Sequence, residues 1–203
     1  TMQFLRESVG EKLILGCGVP LYAAKGTTDY CRIGPDIHLS WDFTLLKWIR
    51  ARERPSVANA IHNTISRRQL SGKWFWNDPD VFLLRKNKNL LSFSEQYSLL
   101  LANLLFGHLI FTSDNIIEYN EMKMKLYTSI FPLMKIEEPQ VSFHNDFYII
   151  NFHIKDRYYL ALINVSNYSK MYKLPSSLFF DNQTDELIKG DKRIEIPKHT
   201  SKC

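Results

Sequence analysis

Strand-like and helix-like segments alternate four times over the first 130 residues of the chain. Strand–helix–strand units place parallel strands side by side through right-handed crossovers, so this alternation predicts an α/β fold with a parallel sheet. The order also predicts that the loops at one edge of the sheet share a site. The predicted strands lie in 12–21, 27–37, 73–84 and 108–116, and the predicted helices are 3–9, closed by Gly10, then 41–53, 56–70, 93–106 and 119–131.

The pattern changes after Pro132 and Pro139. Short segments rich in aromatic and β-branched residues follow one another, which is typical of antiparallel sheets. Three turns, "HND", "KDR" and "SNYS", separate them. We therefore expect a small all-β domain from about residue 139 onward, with strands in 140–154, 157–166, 169–175 and 192–197.

The charge pattern is that of a solvated surface. The chain has 26 basic and 21 acidic residues, a net charge of +5, and the basic residues are scattered apart from short groups such as Arg50, Arg52 and Arg54. No groove-binding motif or aromatic platform accompanies them. The composition therefore predicts no nucleic-acid partner.

The cysteines and the apolar segments indicate in which cellular compartment the protein is found. Cys17, Cys31 and Cys203 cannot form a disulfide framework and do not have zinc-finger spacing, which favours a reducing compartment. The longest apolar segment, 97–111, is interrupted by Asn103 and is shorter than the roughly 18 residues of a membrane span. With no secretion signal in the opening residues, we expect a cytoplasmic protein without a membrane partner.

Polar side chains follow each predicted strand. The first strand ends at Cys17, the second in "RIGPD" (32–36), the third in "NDPD" (77–80) and the fourth in "TSDN" (112–115). Because parallel strands end at the same edge of a sheet, these side chains are expected to share a pocket. Three of the four strands end in aspartate.

Carboxylates in such a pocket suit the hydrolysis of glycosides. One carboxyl group gives a proton to the departing oxygen, while another attacks or stabilises the cationic sugar carbon. A neighbouring arginine can bind a sugar hydroxyl with directed hydrogen bonds. Asp36 in "RIGPD" is the candidate proton donor, although aspartate is also common in turns, and spacing alone leaves both roles open.

Four motifs together resemble the melibiase-type α-galactosidases. They are "LILGCGVPL", "RIGPDIHLSW", "WNDPDVFLLR" and "LSFSEQYSLLLANLLFGHLIFTSD", and they occur in the family's order over roughly residues 3–131. The resemblance implies the C-terminal half of a (β/α)8 TIM barrel, strands five to eight, over residues 1–135. It also implies a C-terminal β-sandwich-like domain over residues 139–203.

The resemblance implies a retaining hydrolysis of terminal α-linked galactose in oligosaccharides, through a covalent glycosyl-enzyme and without a metal or organic cofactor. Asp36 matches the general acid/base, and Arg32 matches the residue that contacts the hydroxyl beside the anomeric carbon. Cys17 matches the lining of the galactose pocket, and Asp80, with Trp76 nearby, matches the mouth of the seventh strand. The resemblance therefore implies that Cys17, Asp80 and Trp76 bind substrate. Asp78 fits the motif as a structural residue.

The sequence departs from the family's pattern in three respects. The acidic residues that bind the far hydroxyls of the sugar, the large N-terminal β domain and the strand that bears the nucleophile are not found in it. The family's nucleophile is an aspartate on the fourth barrel strand, and the lysine-x-aspartate strand that bears it is not found here. We therefore expect the nucleophile in an N-terminal part outside these residues, and the 203 residues alone to be inactive. The alternatives are a non-catalytic carbohydrate-binding or assembly module, a homo-oligomer formed through open sheet edges, and an α-N-acetylgalactosaminidase. His38 and His108 are expected to be packed or exposed side chains and not metal ligands.

Overall fold

A computed structural model describes residues 1–51 and 54–203 of the chain. Arg52 and Glu53 lie outside the described residues. Both belong to the predicted helix 41–53, and Arg52 is also part of the group of basic residues named above. The chain divides into two compact units. The first comprises 1–92 and 99–128, and the second comprises 93–98 and 129–203.

The first unit contains short strands and longer helices in alternation, as predicted. Two 3-10 turns, Arg68–Leu70 and Ile116–Glu118, complete it. The strands are β1 (Leu15–Gly16), β2 (Tyr30–Arg32), β3 (Trp76–Asp78), β4 (Val81–Phe82) and β5 (Phe111–Thr112). The helices are α1 (Met2–Val9), α2 (Leu21–Ala24), α3 (Thr44–Trp48), α4 (Val57–Ser66), α5 (Phe93–Phe106), which begins in the second unit, and α6 (Glu121–Ser129), whose last residue belongs to the second unit.

The pairing of these strands is parallel, which confirms that part of the prediction. β1, β2 and β3 form one sheet in that order, and β4 pairs with β5 in another. The expectation of one four-stranded sheet is wrong, because the third predicted strand is divided into β3 and β4 at Pro79 and Asp80. The φ angle of Asp80 is 75°, which a continuous strand cannot accommodate. The described strands form no closed barrel.

Two helices begin where the sequence predicts. Ser56 caps α4, since its hydroxyl accepts the backbone N–H of Asn59 at 3.1 Å. α5 is 14 residues long and includes the fully buried Leu99 and Ala102. Within the described parts of the chain, no helix has the length and apolar character needed to cross a membrane.

The continuous apolar run in 12–21 predicts a first strand that is buried on both faces, and this prediction is wrong. Burial alternates along it, with Ile14 and Gly16 buried, while Leu13 is 76% and Leu15 is 43% exposed. The reason is that β1 lies at the edge of its sheet and contributes only two residues to it. In an edge strand that is covered on one face, side chains alternate between buried and exposed positions.

The second unit is antiparallel, as predicted. The strands are β6 (Glu137–His144), β7 (Phe147–Ile154), β8 (Arg157–Asn164), β9 (Lys170–Lys173), β10 (Phe179–Asp181), β11 (Glu186–Ile188), β12 (Arg193–Ile196) and β13 (Thr200–Lys202). β13, β8, β7 and β6 form a four-stranded sheet in that order, and β9 pairs with β12 and β10 with β11. One cluster of the unit's buried core consists of Phe147, Leu160, Leu162, Leu174 and Ile196.

Candidate active site

Three predicted site residues meet at the C-terminal edge of the first parallel sheet. Arg32 ends β2, Asp78 ends β3, and the two are register partners. Gly16, the last residue of β1, is the register partner of Cys31, so Cys17 follows β1 on the same row as Arg32. Parallel pairing therefore brings together residues that are far apart in the sequence.

Arg32 is surrounded by three carboxylates. Its Nε donates to Asp78 Oδ2 at 2.8 Å, and its Nη1 lies 2.9 Å from Asp80 Oδ1 and 3.5 Å from Asp36 Oδ1. We call Arg32, Asp36, Asp78 and Asp80 the arginine cluster. Burial acts to lower the pKa of Arg32, but the hydrogen bond and charge of Asp78, with the charges of Asp80 and Cys17, raise it overall.

Asp78 is the structural member of the arginine cluster. Its side chain is fully buried, and its Oδ1 accepts the backbone N–H of Asp80 at 2.9 Å. Its carbonyl oxygen accepts the N–H of Ile33 at 3.0 Å. A carboxylate that is enclosed in this way can orient Arg32 but cannot reach a ligand in solution.

Asp36 is the exposed member of the arginine cluster. Its side chain is 79% accessible, although Oδ1 lies within ion-pair distance of Arg32. The preceding Gly34 packs closely against α4, since a Cβ there would lie 3.3 Å from Asn63 Cβ. The loop thus presents a solvent-accessible carboxyl group beside an anchored guanidinium.

Cys17 lies close enough to the arginine cluster to interact electrostatically with Arg32. It is exposed and acts on the titration of both Arg32 and Cys31. Cys31 is buried, and burial raises the pKa of its thiol to about 11, with the charges of Asp78 and Cys17 adding to the effect. Cys17 is therefore the accessible thiol at this edge of the sheet.

Several solved structures that match this chain are α-galactosidases. α-Galactosidase I from Mortierella vinacea matches 90% of this chain with a TM-score of 0.66 at 12% identity, a likeness of fold alone. The α-galactosidase of Thermus thermophilus in complex with p-nitrophenyl α-D-galactopyranoside matches 77% with a TM-score of 0.61 at 27% identity. The same enzyme in complex with stachyose matches 63% with a TM-score of 0.57 at 31% identity. The chain is built like part of an α-galactosidase.

The chain matches only part of each of these enzymes. The chain covers 54% of the Mortierella structure and 31% and 28% of the two Thermus structures, which is less than two thirds of their length. No family model matches the sequence. The resemblance to the α-galactosidases that the four motifs indicate is confirmed at the level of structure.

Trp76 occupies the start of β3 in this α-galactosidase-like chain. It is the register partner of Tyr30 and precedes Asp78 by two residues, which corresponds to about 7 Å along a strand. Its ring is 44% exposed and packs on His108 with 4.4 Å between ring centroids. A role for Trp76 in binding substrate is still a prediction.

The aspartate that follows the fourth predicted strand lies outside the arginine cluster. Asp114 Oδ2 accepts the backbone N–H of Arg85 at 2.8 Å, that of Leu84 at 2.5 Å and the hydroxyl of Tyr119 at 2.7 Å. Burial and this hydrogen bond raise the pKa of Tyr119. The role of Asp114 is therefore to fix the segment after β4.

Two further residues support the site and were not predicted from the sequence. Asn103, which interrupts the apolar segment 97–111, donates from Nδ2 to the carbonyl oxygen of Asp80 at 3.4 Å. Arg67, at the end of α4, donates from Nη1 to the carbonyl oxygen of Ile33. The signal for Asn103 was its position within an apolar helix, because a buried amide needs a partner.

Proposed function

We propose that this chain is part of a retaining α-galactosidase that hydrolyses terminal α-linked galactose in oligosaccharides, with Asp36 as its general acid/base. The observation on which the proposal rests is the exposed Asp36 carboxyl, 3.5 Å from Arg32 at the C-terminal edge of a parallel sheet. The similarity to Thermus structures in complex with an aryl α-galactoside and with stachyose supports a galactoside substrate.

In the proposed reaction, Asp36 gives its proton to the glycosidic oxygen as the bond to the sugar breaks, and then takes a proton from the water that releases the sugar. Arg32 binds a hydroxyl of the galactose. Cys17 lines the galactose pocket in this scheme, with Asp80 and Trp76 near its mouth. A retaining enzyme also needs a nucleophilic carboxylate about 5 Å from the acid. We assign that carboxylate to sequence outside these 203 residues, in keeping with their partial coverage of the solved enzymes.

We further propose that the five short strands of the first unit are the C-terminal half of a (β/α)8 barrel. In this assignment β3 and β4 are two parts of one barrel strand, interrupted at Asp80. The parallel pairing of β3 with β2, and of β4 with β5, supports it, because the divided strand then joins the two sheets in barrel order.

The test compares Asp36→Ala with wild type in the full-length gene product, on stachyose and on p-nitrophenyl α-galactoside. General acid catalysis contributes about 100- to 10,000-fold. We expect a loss of that order on stachyose and a smaller loss on the aryl substrate, because nitrophenolate departs without much protonation. Sodium azide should restore turnover of the aryl substrate and yield the α-galactosyl azide, since azide needs no general base. Asp156→Ala, at an exposed turn, is the matched control.

Three outcomes separate this proposal from its alternatives. Wild-type activity in Asp36→Ala would make Asp36 a turn residue and end the proposal. Galactose binding without hydrolysis by the full-length wild-type protein would favour a carbohydrate-binding module. Faster hydrolysis of the aryl α-N-acetylgalactosaminide than of the aryl α-galactoside would identify an α-N-acetylgalactosaminidase.

A further inference from the structure

We infer that Asp80 is the positioning residue that fixes the loop bearing Asp36. This inference rests on the proposed function and adds to it a role that acts through another side chain. The two carboxylate oxygens of Asp80 have different partners. Oδ1 lies 2.9 Å from Arg32 Nη1, and Oδ2 accepts the backbone N–H of Ile37 at 2.8 Å. Ile37 directly follows Asp36 in the chain.

The loop from Ile33 to Ile37 is anchored at both ends by this arrangement. At its start, Ile33 donates its N–H to the carbonyl oxygen of Asp78 at 3.0 Å and accepts a hydrogen bond from Arg67. At its end, Ile37 donates to Asp80. Asp36 lies between these anchors, so its backbone position depends on both of them. The contact between Ile37 and Asp80 is closer to Asp36 along the chain than the contacts of Ile33 are.

Asp80 is poorly placed to bind sugar directly, although the sequence comparison suggested that role. Its side chain is only 10% exposed, and each carboxylate oxygen already has a partner within the arginine cluster or its loop. A sugar hydroxyl could reach these oxygens only through the small exposed part of the side chain. The geometry favours action through Arg32 and Asp36 over contact with substrate.

The backbone of Asp80 is itself held in an unusual conformation. Its φ of 75° lies in the left-handed region, which non-glycine residues adopt only when their surroundings require it. The carboxylate of Asp78 accepts its N–H at 2.9 Å, and the amide of Asn103 donates to its carbonyl oxygen at 3.4 Å. This conformation ends β3 and directs the Asp80 side chain back toward β2.

The test uses three variants of the full-length protein. Asp80→Gly removes both oxygens and tolerates the positive φ, whereas Asp80→Asn retains one acceptor oxygen and a side chain that also tolerates that φ. Asp114→Asn is the matched control, since Asp114 is another buried aspartate that accepts backbone N–H groups. Hydrogen exchange, followed by mass spectrometry of a peptide containing Ile37, measures how well the backbone N–H of Ile37 is protected. The kcat and KM for stachyose and the aryl galactoside measure the reaction.

For Asp80→Gly we expect faster exchange at Ile37 and a kcat for stachyose lowered by about 10- to 100-fold, the cost of a misplaced catalytic group. The aryl substrate should be affected less, as with Asp36→Ala, and KM should change less than kcat. Asp80→Asn should retain part of the exchange protection and part of kcat. Asp114→Asn should leave exchange at Ile37 as in wild type.

Unchanged exchange at Ile37 in Asp80→Gly, or an effect on KM alone, would overturn the inference, and the latter would mean that Asp80 binds substrate directly. The result for Asp36→Ala distinguishes this failure from failure of the proposed function. If Asp36→Ala is inactive on stachyose while Asp80→Gly changes neither exchange nor kcat, only the positioning role is lost. If Asp36→Ala is fully active, the proposed function fails whatever Asp80 does.

Discussion

The fully buried carboxylate of Asp78 accepts a hydrogen bond from Arg32 Nε at 2.8 Å, across 46 residues of sequence. Both residues end neighbouring parallel strands, so the pair marks the edge at which Asp36 is exposed. A buried ion pair does not by itself guarantee stability, but loss of one partner leaves the other charge uncompensated. The pair therefore links the stability of the first unit to the geometry of the candidate active site.

We predict that Asp78→Ala lowers the free energy of unfolding by about 1.5–3 kcal/mol, because Arg32 Nε and the backbone N–H of Asp80 lose a buried acceptor, while Asp80 and Asp36 still balance the charge of Arg32. Urea unfolding followed by circular dichroism measures the change. The double variant Asp78→Leu with Arg32→Met should lose less than the sum of the two single variants. A loss below about 1 kcal/mol in Asp78→Ala, typical of an exposed pair, would contradict the prediction.

Ser56→Ala is expected to cost about 1 kcal/mol of stability, because the backbone N–H of Asn59 loses its acceptor at the start of α4. Thermal and urea unfolding measure this loss. Ser66→Ala, at the exposed end of the same helix, is the control and should have a smaller effect. Equal losses in the two variants would argue against a capping role for Ser56.

We predict that the protonation of His108 makes the stability of the folded chain depend on pH. Burial lowers its pKa, and its Nδ1 lies 2.8 Å from Ser71 Oγ. The unfolded chain, in which the pKa is about 6.5, therefore binds this proton more readily than the folded chain. Stability from this group is present above pH 6.5 or so and is lost as the pH falls below that value.

The measurement is the urea midpoint at pH 7.5 and at pH 5.5, for wild type and for His108→Gln. We expect the midpoint of wild type to fall on acidification by more than that of the variant, which cannot take up the proton. The same pH dependence in both proteins would show that other groups account for it.

Asn164 is predicted to be essential for the stability of the second unit. Its buried Nδ2 donates to the carbonyl oxygens of Tyr168, Ile196 and Pro197 at 2.8–3.0 Å, and its Oδ1 accepts the hydroxyl of Ser166 at 2.7 Å. Each buried polar group left without a partner costs about 1–3 kcal/mol. We expect Asn164→Ala to lose at least about 2 kcal/mol in urea unfolding. Asn182→Ala, at an exposed position, should lose under about 0.5 kcal/mol, and similar losses in both would refute the prediction.

α4 and α5 could be predicted from the sequence because their signals are local. The predicted helix 41–53 is shorter in the structure, as α3, and α2 was not predicted. The cap at Ser56 and the apolar spacing that follows it specify the start of α4, and the predicted segment 93–106 coincides with α5. The hairpin turns after β6 and β7 were predicted from their polar residues. Asn145, Asp146 and Lys155 have positive φ in those turns.

The short strands were predicted less well, because their burial and pairing depend on their neighbours. The apolar run of 12–21 contributes only two residues to the edge strand β1. The segment 73–84 was predicted as one strand but forms two strands, β3 and β4, in the fold. β10, β11 and β13 were not predicted, since strands of three residues have too few positions for a periodic pattern.

The sequence by itself determined the order of strands and helices, the change to an all-β region after Pro139, and the presence of Arg32, Asp36, Asp78 and Asp80 at strand ends. Only the tertiary structure decided which of these carboxyl groups is buried, which is exposed and which contacts the loop at Ile37. Helix caps and hairpin turns follow from interactions between residues close in sequence. An ion pair across 46 residues forms only when parallel strands fix its two partners in register.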